Sequence, residues 1–174
     1  MRSGRTVLGM WLTGMLLVSC NLPSAPTSAS VTASLPGRQE LELIAASIVV
    51  HINLDREQIG LGPLVTSEAL SDIAFHRSED MITRSYFGHA DRQDELPLVW
   101  PMLSASGYAG KLAENLYEYR GPLADVGAAA VGAWIASRDH RRLLLDARFH
   151  FTGVGLMGDG TLWRVTQVFA ERGP

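Results

Sequence analysis

Apolar residues recur every three or four positions in three stretches of the chain, and this period predicts three long helices. The first helix begins near Arg38 and ends at the glycines and the proline of residues 60–63. The second follows Ser67, a predicted N-cap, and ends in an aromatic turn at residues 86–89. The third covers residues 124–137, and residues 97–106 predict a shorter helix before Gly107. The positions predicted to be buried are Leu41, Ile44, Ala45, Ile48 and Ile52 on the first helix, Leu70, Ile73, Ala74, Arg77 and Met81 on the second, and Val126, Ala130, Ala133 and Trp134 on the third.

The last third of the chain changes to the period of a strand. Residues 151–157 and 162–170 are rich in β-prone side chains, and the short Gly158-Asp159-Gly160 segment between them predicts a hairpin. Apolar side chains point to both sides of the second run, and a sheet that is buried on both faces needs helices on both sides. The pattern therefore predicts an α+β protein, a three-layer α-β-α sandwich with a small antiparallel sheet.

One glycine motif has to be set aside. Gly153-Val154-Gly155-Leu156-Met157-Gly158 has the glycine spacing of a dinucleotide-binding loop, but such a loop opens a helix within a βαβ unit. Only a strand and the C-terminus follow here, so we expect no nucleotide to bind. Glycines in a strand also allow a neighbouring backbone to approach closely, and we predict that role for them.

The N-terminal residues have the pattern of an export signal. Arg2 and Arg5 precede an apolar run at residues 7–18, which is shorter than the ~20 residues of a membrane-spanning helix. The run ends in Leu17-Val18-Ser19-Cys20, which resembles the lipobox of bacterial lipoproteins. That resemblance implies cleavage after residue 19 and acylation of Cys20 with fatty acids such as palmitate. The alternative is a generic secretory peptide that is cut nearby and leaves an incidental thiol.

The remaining composition predicts a tether followed by one domain. Residues 20–37 are rich in Ser, Thr, Ala and Pro, which is typical of a disordered tether, and residues 38–174 form the predicted domain. Cys20 is the only cysteine, so an intramolecular disulfide is impossible. The formal net charge of -3 becomes more negative when the signal leaves with its arginines, and no basic stripe remains to hold nucleic acid.

Five separated segments resemble the CAP superfamily, also called the SCP domain. They match in order and spacing from about residue 40 to the end, and the resemblance is to the bacterial branch, which lacks disulfides. It implies the same α-β-α fold. The matching segments are Ile52-Asn53-Leu54-Asp55-Arg56 with Gly60-Leu61-Gly62-Pro63-Leu64; Asp80-Met81 with Tyr86-Phe87-Gly88-His89; Gly107-Tyr108 with Ala113-Glu114-Asn115-Leu116; Trp134, Ser137 and His140; and Gly153-Val154-Gly155.

The resemblance implies a cleft lined by two histidines and two acidic residues. The histidines correspond to His89 and His140, the first acid to Glu114, and Ser137 stands in the place of the second acid. Two neutral imidazoles and a carboxylate can bind zinc or another divalent metal, with a fourth position for water. The same three side chains could instead form a metal-free polar network. We assign no catalytic residue, because a Ser137 nucleophile would lack an oriented acid and oxyanion donors.

These observations predict a lipid-anchored protein of the cell envelope that lies outside the cytoplasm and acts by binding. The expected partners are the membrane, through Cys20, and a small apolar, lipid or cell-envelope ligand in the cleft. The alternative is a metal-dependent, peptidase-like hydrolase that uses the same cleft, against which the missing second acid argues. The other candidate residues are predicted to be structural: His51, His76 and His150 on the surface or in the framework, and Trp100, Trp134 and Trp163 in the core or the cleft wall.

Overall fold

The computed structural model describes residues 36–90 and 99–174, which belong to one unit that begins at residue 34. The helices are α1 (Arg38–Gln58), α2 (Glu68–Thr83), α3 (Val99–Ala105), α4 (Val126–Ala136) and α5 (Arg138–Leu144), with a 3-10 turn at Leu123–Asp125. The strands are β1 (Val65–Thr66), β2 (Ala109–Arg120), β3 (Phe151–Gly158) and β4 (Leu162–Arg172). In these two ranges, no helix has the length and apolar character to cross a membrane. The predicted signal, Cys20 and nearly all of the predicted tether lie outside the described residues.

The four strands form one sheet in the order β1-β3-β4-β2. Its three long strands are antiparallel, and β1 adds a two-residue parallel pair beside the start of β3. The predicted hairpin of β3 and β4 is confirmed. The sequence pattern did not predict β1, α5 or β2, although β2 is the longest strand in the described part of the chain.

Helices cover both faces of the sheet, which confirms the predicted three-layer sandwich. Along β4, Trp163, Val165 and Phe169 pack in a core that includes residues of α1 and α4. Val168 and Ala170 of the same strand pack in a second core with residues of α2 and α3. The alternation of side chains along one strand therefore builds two separate cores.

The two central glycines of β3 bring α2 directly against the sheet. A Cβ atom at Gly153 would overlap the backbone of Leu70 and Ser71, and one at Gly155 would overlap the backbone of Phe75. Main-chain atoms cannot move aside as a flexible side chain can, so these positions admit only glycine. This confirms that the glycine motif serves helix packing, and no helix follows it.

The start and end of α2 determine where the aromatic turn lies. The hydroxyl of Ser67 accepts a hydrogen bond from the backbone N–H of Leu70, as predicted for the N-cap. The helix ends at Thr83, and Ser85 then adopts a left-handed backbone conformation with φ of 55°. From this point the chain places Tyr86 against α2, Phe87 against Arg164 of β4, and His89 against Glu114 of the edge strand β2.

Candidate functional site

The predicted site residues His89 and Glu114 meet at β2. The imidazole Nδ1 of His89 lies 2.7 Å from Oε2 of Glu114. The Glu114 side chain is only 2% exposed, whereas that of His89 is 54% exposed. If Nδ1 carries the proton and donates it to the carboxylate, the Nε2 lone pair is left for another partner. Glu114 therefore orients a ring that is accessible from solvent.

Arg77 holds this pair in place, and the sequence reasoning had assigned it no functional role. Its guanidinium is buried on α2, and its Nε donates to Oε1 of Glu114 at 3.1 Å. Nη1 donates to the Tyr86 hydroxyl at 2.5 Å, and Nη2 donates to the carbonyl of Gly88 at 3.0 Å. One arginine thus fixes both the carboxylate and the turn that carries His89. The sequence contained a signal for this role, because an arginine on an apolar helix stripe needs a buried acidic partner.

The second shared partner of the turn is Asp80. The Tyr86 hydroxyl donates to Oδ2 of Asp80 at 2.5 Å while it accepts from Arg77. Burial raises the pKa of Tyr86 above its ordinary value, and the hydrogen bond to Asp80 acts in the same direction. The phenol is therefore neutral at physiological pH and serves as a donor and acceptor that ties the turn to α2.

His140 approaches the same site from α5. Its backbone carbonyl accepts a hydrogen bond of 3.4 Å from Nδ2 of Asn115, the residue after Glu114. Burial lowers the pKa of His140, and the electrostatic influence of His89 lowers it further. Because neighbouring strand residues point to opposite faces, Glu114 meets the ring of His89 on one face of β2, and Asn115 meets only the backbone of His140 on the other. The structure therefore places all three residues at the edge strand, but among the described residues the His140 ring makes no hydrogen bond to His89 or Glu114.

Ser137 lies at the junction of two helices. It is the C-cap of α4 and the N-cap of α5, its backbone carbonyl accepts from the N–H of Arg141 at 2.9 Å, and its side chain makes no capping hydrogen bond. Within the described residues, its hydroxyl makes no hydrogen bond to His89, Glu114 or His140. Ser137 is therefore not paired with a base, and it is not among the described residues that line the cavity at His89 and Glu114.

The arrangement does not fit three direct metal ligands. Within residues 36–90 and 99–174, no three His, Cys, Asp or Glu side chains are placed to hold an ion together. Both oxygens of Glu114 already have partners, one accepting from Arg77 and one facing His89. In this geometry the carboxylate faces Nδ1 of His89. It therefore supports the imidazole and does not act as a second ligand next to Nε2. Metal binding to His89, Glu114 and His140 stays a prediction for titration.

An apolar cavity of about 320 Å³ opens beside His89 and Glu114. Its walls are Val99 and Trp100 of α3 with Leu112 and Ala113 of β2. Trp100 is therefore a cleft-wall residue, and Trp134 and Trp163 are buried in the core, as predicted. The other exposed histidines, also as predicted, lie on the surface of α1, α2 and the loop before β3: His51, His76 and His150.

The sandwich with a histidine–carboxylate cleft at its edge strand defines this as an SCP-type domain. The family model described as CAP, the cysteine-rich secretory protein family, matches residues 50–169, and the chain belongs to this family. A curated relative, the uncharacterized protein YkwD of Bacillus subtilis, is 30% identical over 148 residues, which cover 84% of this chain and 54% of YkwD. The chain thus spans about half of that relative.

Solved structures show the same fold at lower identity. An extracellular protein with an SCP domain from Bacillus anthracis is 23% identical, with a TM-score of 0.64 over 80% of this chain and 45% of that one. An outer surface protein of Borrelia burgdorferi is 15% identical, with a TM-score of 0.61 over 79% of this chain and 96% of that one. These similarities confirm the predicted fold and bear on architecture alone.

Proposed function

We propose that this CAP-domain protein is a lipid-anchored binding module outside the cytoplasm, and that its cleft takes a small apolar ligand with a polar head group. The location is supported by the extracellular protein of Bacillus anthracis and the outer surface protein of Borrelia burgdorferi, which share its fold. The observation that carries the binding role is the exposed His89 ring, oriented by buried Glu114 at the mouth of an apolar cavity.

The cleft separates two kinds of contact. The apolar walls would remove the body of a ligand from water, which stabilises a complex by about 25 cal/mol for each Å² of apolar surface buried. The imidazole would contact the polar head group. Ordering of the imidazole on binding costs little entropy, because Arg77 and Glu114 already hold the ring in place. Such a site favours an amphiphile over a fully polar or a fully apolar molecule.

Decanoate is a suitable probe for this proposal. We expect calorimetric titration to show saturable binding by the wild-type protein, weakened at least tenfold by either His89→Ala or Trp100→Ala. The matched control is His150→Ala, because His150 is an exposed histidine whose ring hydrogen bond goes to the carbonyl of Glu171. Equal dissociation constants for all four proteins would contradict the proposed cleft.

Zinc titration tests the separate prediction of a metal site. If His89 and His140 bind zinc, affinity must fall when the pH is low enough to protonate the rings, because a protonated imidazole cannot ligate. His89→Ala should then weaken binding sharply, and His150→Ala should not. The protein must be free of a histidine tag. Weak heats that are the same for all variants and at every pH would show the metal prediction to be wrong.

The alternative function, a metal-dependent hydrolase, would use the same residues. Ser137 is not paired with His140, and Glu114 is engaged by Arg77, so no observation on the described residues favours hydrolysis over binding. Peptide turnover by the wild-type protein that is lost in Glu114→Gln would reverse this preference.

A further inference from the structure

The edge of the sheet opposite β2 is left open where β1 ends. β1 pairs only with the first two residues of β3, and the flanking hydrogen bonds run from the N–H of Val65 to His150 and from the N–H of Ser67 to Thr152. The chain then enters α2, so among the strands of residues 36–90 and 99–174 none lies beside β3 on this side after Thr152. Sheet edges of this kind are templates for another strand.

The unpaired part of β3 presents backbone groups to this edge. Thr152 directs its carbonyl toward β1, and backbone direction alternates along a strand, so Val154 and Leu156 direct their N–H and C=O groups the same way. Within residues 36–90 and 99–174, these outward groups have no hydrogen-bond partner. Val154 is 3% exposed and Leu156 is 1% exposed. Buried backbone groups are almost always paired, so these four are the part of β3 that an added strand would satisfy, and at this low exposure the groove must widen before a partner can reach them.

A groove runs along this edge between α1 and α2. It consists of two adjoining cavities of about 250 and 100 Å³, which share Glu42, Ala45, Ser71 and Val154 in their walls. The apolar surface of the larger cavity comes from Leu41, Ala45, Phe75, Val154 and Leu156. A short extended segment spans about 3.3 Å per residue, so three residues match the distance from Val154 to Leu156.

The rim of the groove is acidic. Its described lining residues include three carboxylates, those of Glu42, Glu68 and Asp72, and one guanidinium, that of Arg38. Arg38 crosses the mouth, with Nε 2.8 Å from Glu42 on its own helix and Nη2 bonded to Asp72 on α2. The side chains of Arg38, Glu42 and Asp72 are about half exposed, so these two ion pairs are weak, and Arg38 also lies over the Phe75 ring, 4.3 Å from its centroid. A bound segment would have to displace Arg38 from this position.

We propose that this groove binds an extended peptide segment that carries lysine or arginine, as an added strand on β3. A second backbone supplies the alternating acceptors and donors that Val154 and Leu156 lack, whereas an acyl chain would leave them unpaired. The excess of carboxylates on the rim selects a cationic segment. This surface is separate from the His89 cleft, which lies at the other edge strand, and does not depend on the proposed function of that cleft.

The test uses the peptide acetyl-Lys-Val-Thr-Val-Lys-amide and ¹⁵N-labelled full-length protein. We expect saturable binding, with the largest amide shifts at Val154 and Leu156 and slower solvent exchange of both. The same peptide N-methylated at its three central amides should bind at least tenfold more weakly, because it cannot form a ladder. A peptide with Glu in place of Lys should also bind at least threefold more weakly.

Variants separate the groove from the rest of the protein. Ala45→Leu fills both cavities and should abolish binding, and the exposed Ala69→Leu on α2 is its matched control. If Ala45→Leu fails to fold, Asp72→Lys on the rim should reverse the preference between the Lys and Glu peptides. His89→Ala should bind the Lys peptide like the wild type.

Three results would overturn the proposal. The first is equal affinity for the plain and the N-methylated peptide. The second is the lack of a saturable shift at Val154 or Leu156 with the Lys peptide. The third is a shift of these amides by decanoate instead of the peptide, which would make the groove a lipid site.

Discussion

Arg77 contacts both the carboxylate beside His89 and the turn that carries His89, so the geometry of the cleft depends on this residue. Its partners are a carboxylate on β2, a phenol in the aromatic turn and the carbonyl beside His89. Both Arg77 and Glu114 have side chains only 2% exposed. A buried ion pair adds little to stability compared with apolar residues in the same place. Removal of one partner, however, leaves the other charge buried and unpaired. The pair therefore fixes the geometry of the cleft more than it adds to stability.

The first prediction concerns this buried pair. Arg77→Met should lower the free energy of unfolding by about 3 to 5 kcal/mol, because the carboxylate of Glu114 loses its buried cation. Adding Glu114→Gln to that variant should recover part of the loss, since the remaining side chain is neutral. Arg142→Met is the control, because Arg142 is an exposed residue of α5 and substitutions at such surface positions change stability by about 0.5 kcal/mol or less. Urea unfolding measures all four proteins, and equal losses for Arg77→Met and Arg142→Met would contradict the prediction.

The sequence could predict that Arg77 is buried, but not that Glu114 is its partner. The period of α2 predicted that Arg77 faces the core, and the position is indeed buried. Its partner lies 37 residues further on, in a strand that the pattern did not predict. A periodic pattern reports which face of one element is buried, but it does not report which residues of two elements meet. The link between His89, Glu114 and His140 came from family resemblance for the same reason.

At the level of elements, β4 was predictable and β2 was not. Each face of β4 carries large apolar side chains, so its burial can be read from the sequence alone. One face of β2 carries acidic residues among its apolar ones: Glu114 is buried against Arg77, and the partly exposed Glu118 pairs with Arg164. Those cations come from other elements. The helix α5 escaped prediction because it is short and only Leu144 is buried.

The second prediction tests the contact between α2 and β3. Gly155→Ala should cost about 3 kcal/mol or prevent folding, because its Cβ would overlap backbone that cannot yield. The matched control is Gly132→Ala in α4, where nothing lies within 4 Å of the added Cβ. That variant should gain about 0.5 to 1 kcal/mol, since glycine is a poor helix former. Thermal unfolding of both checks the prediction, and a Gly155→Ala protein as stable as the wild type would contradict it.

At the scale of the whole molecule, the domain must be stable without covalent cross-links. The family is described as cysteine-rich, yet this chain has a single cysteine, which lies outside the described residues. A chain of ~140 residues buries enough surface to fold alone, and here it does so in two cores on the two faces of one sheet. The sole cysteine is therefore available for another purpose, and the lipobox resemblance predicts acylation.

The final prediction separates the anchor from the domain. We expect the wild-type protein in the membrane fraction, with a mass that includes acyl chains on Cys20, and we expect Cys20→Ser to be released or misprocessed. Deletion of residues 24–33 keeps the lipobox and Cys20, so that protein should stay with the membrane and keep the melting temperature of the wild type. Fractionation, mass spectrometry and thermal unfolding together give the answer. A wild-type protein that is unlipidated, soluble and cut elsewhere contradicts the anchor, whereas a large loss of melting temperature in the deletion would mean that the tether stabilises the domain.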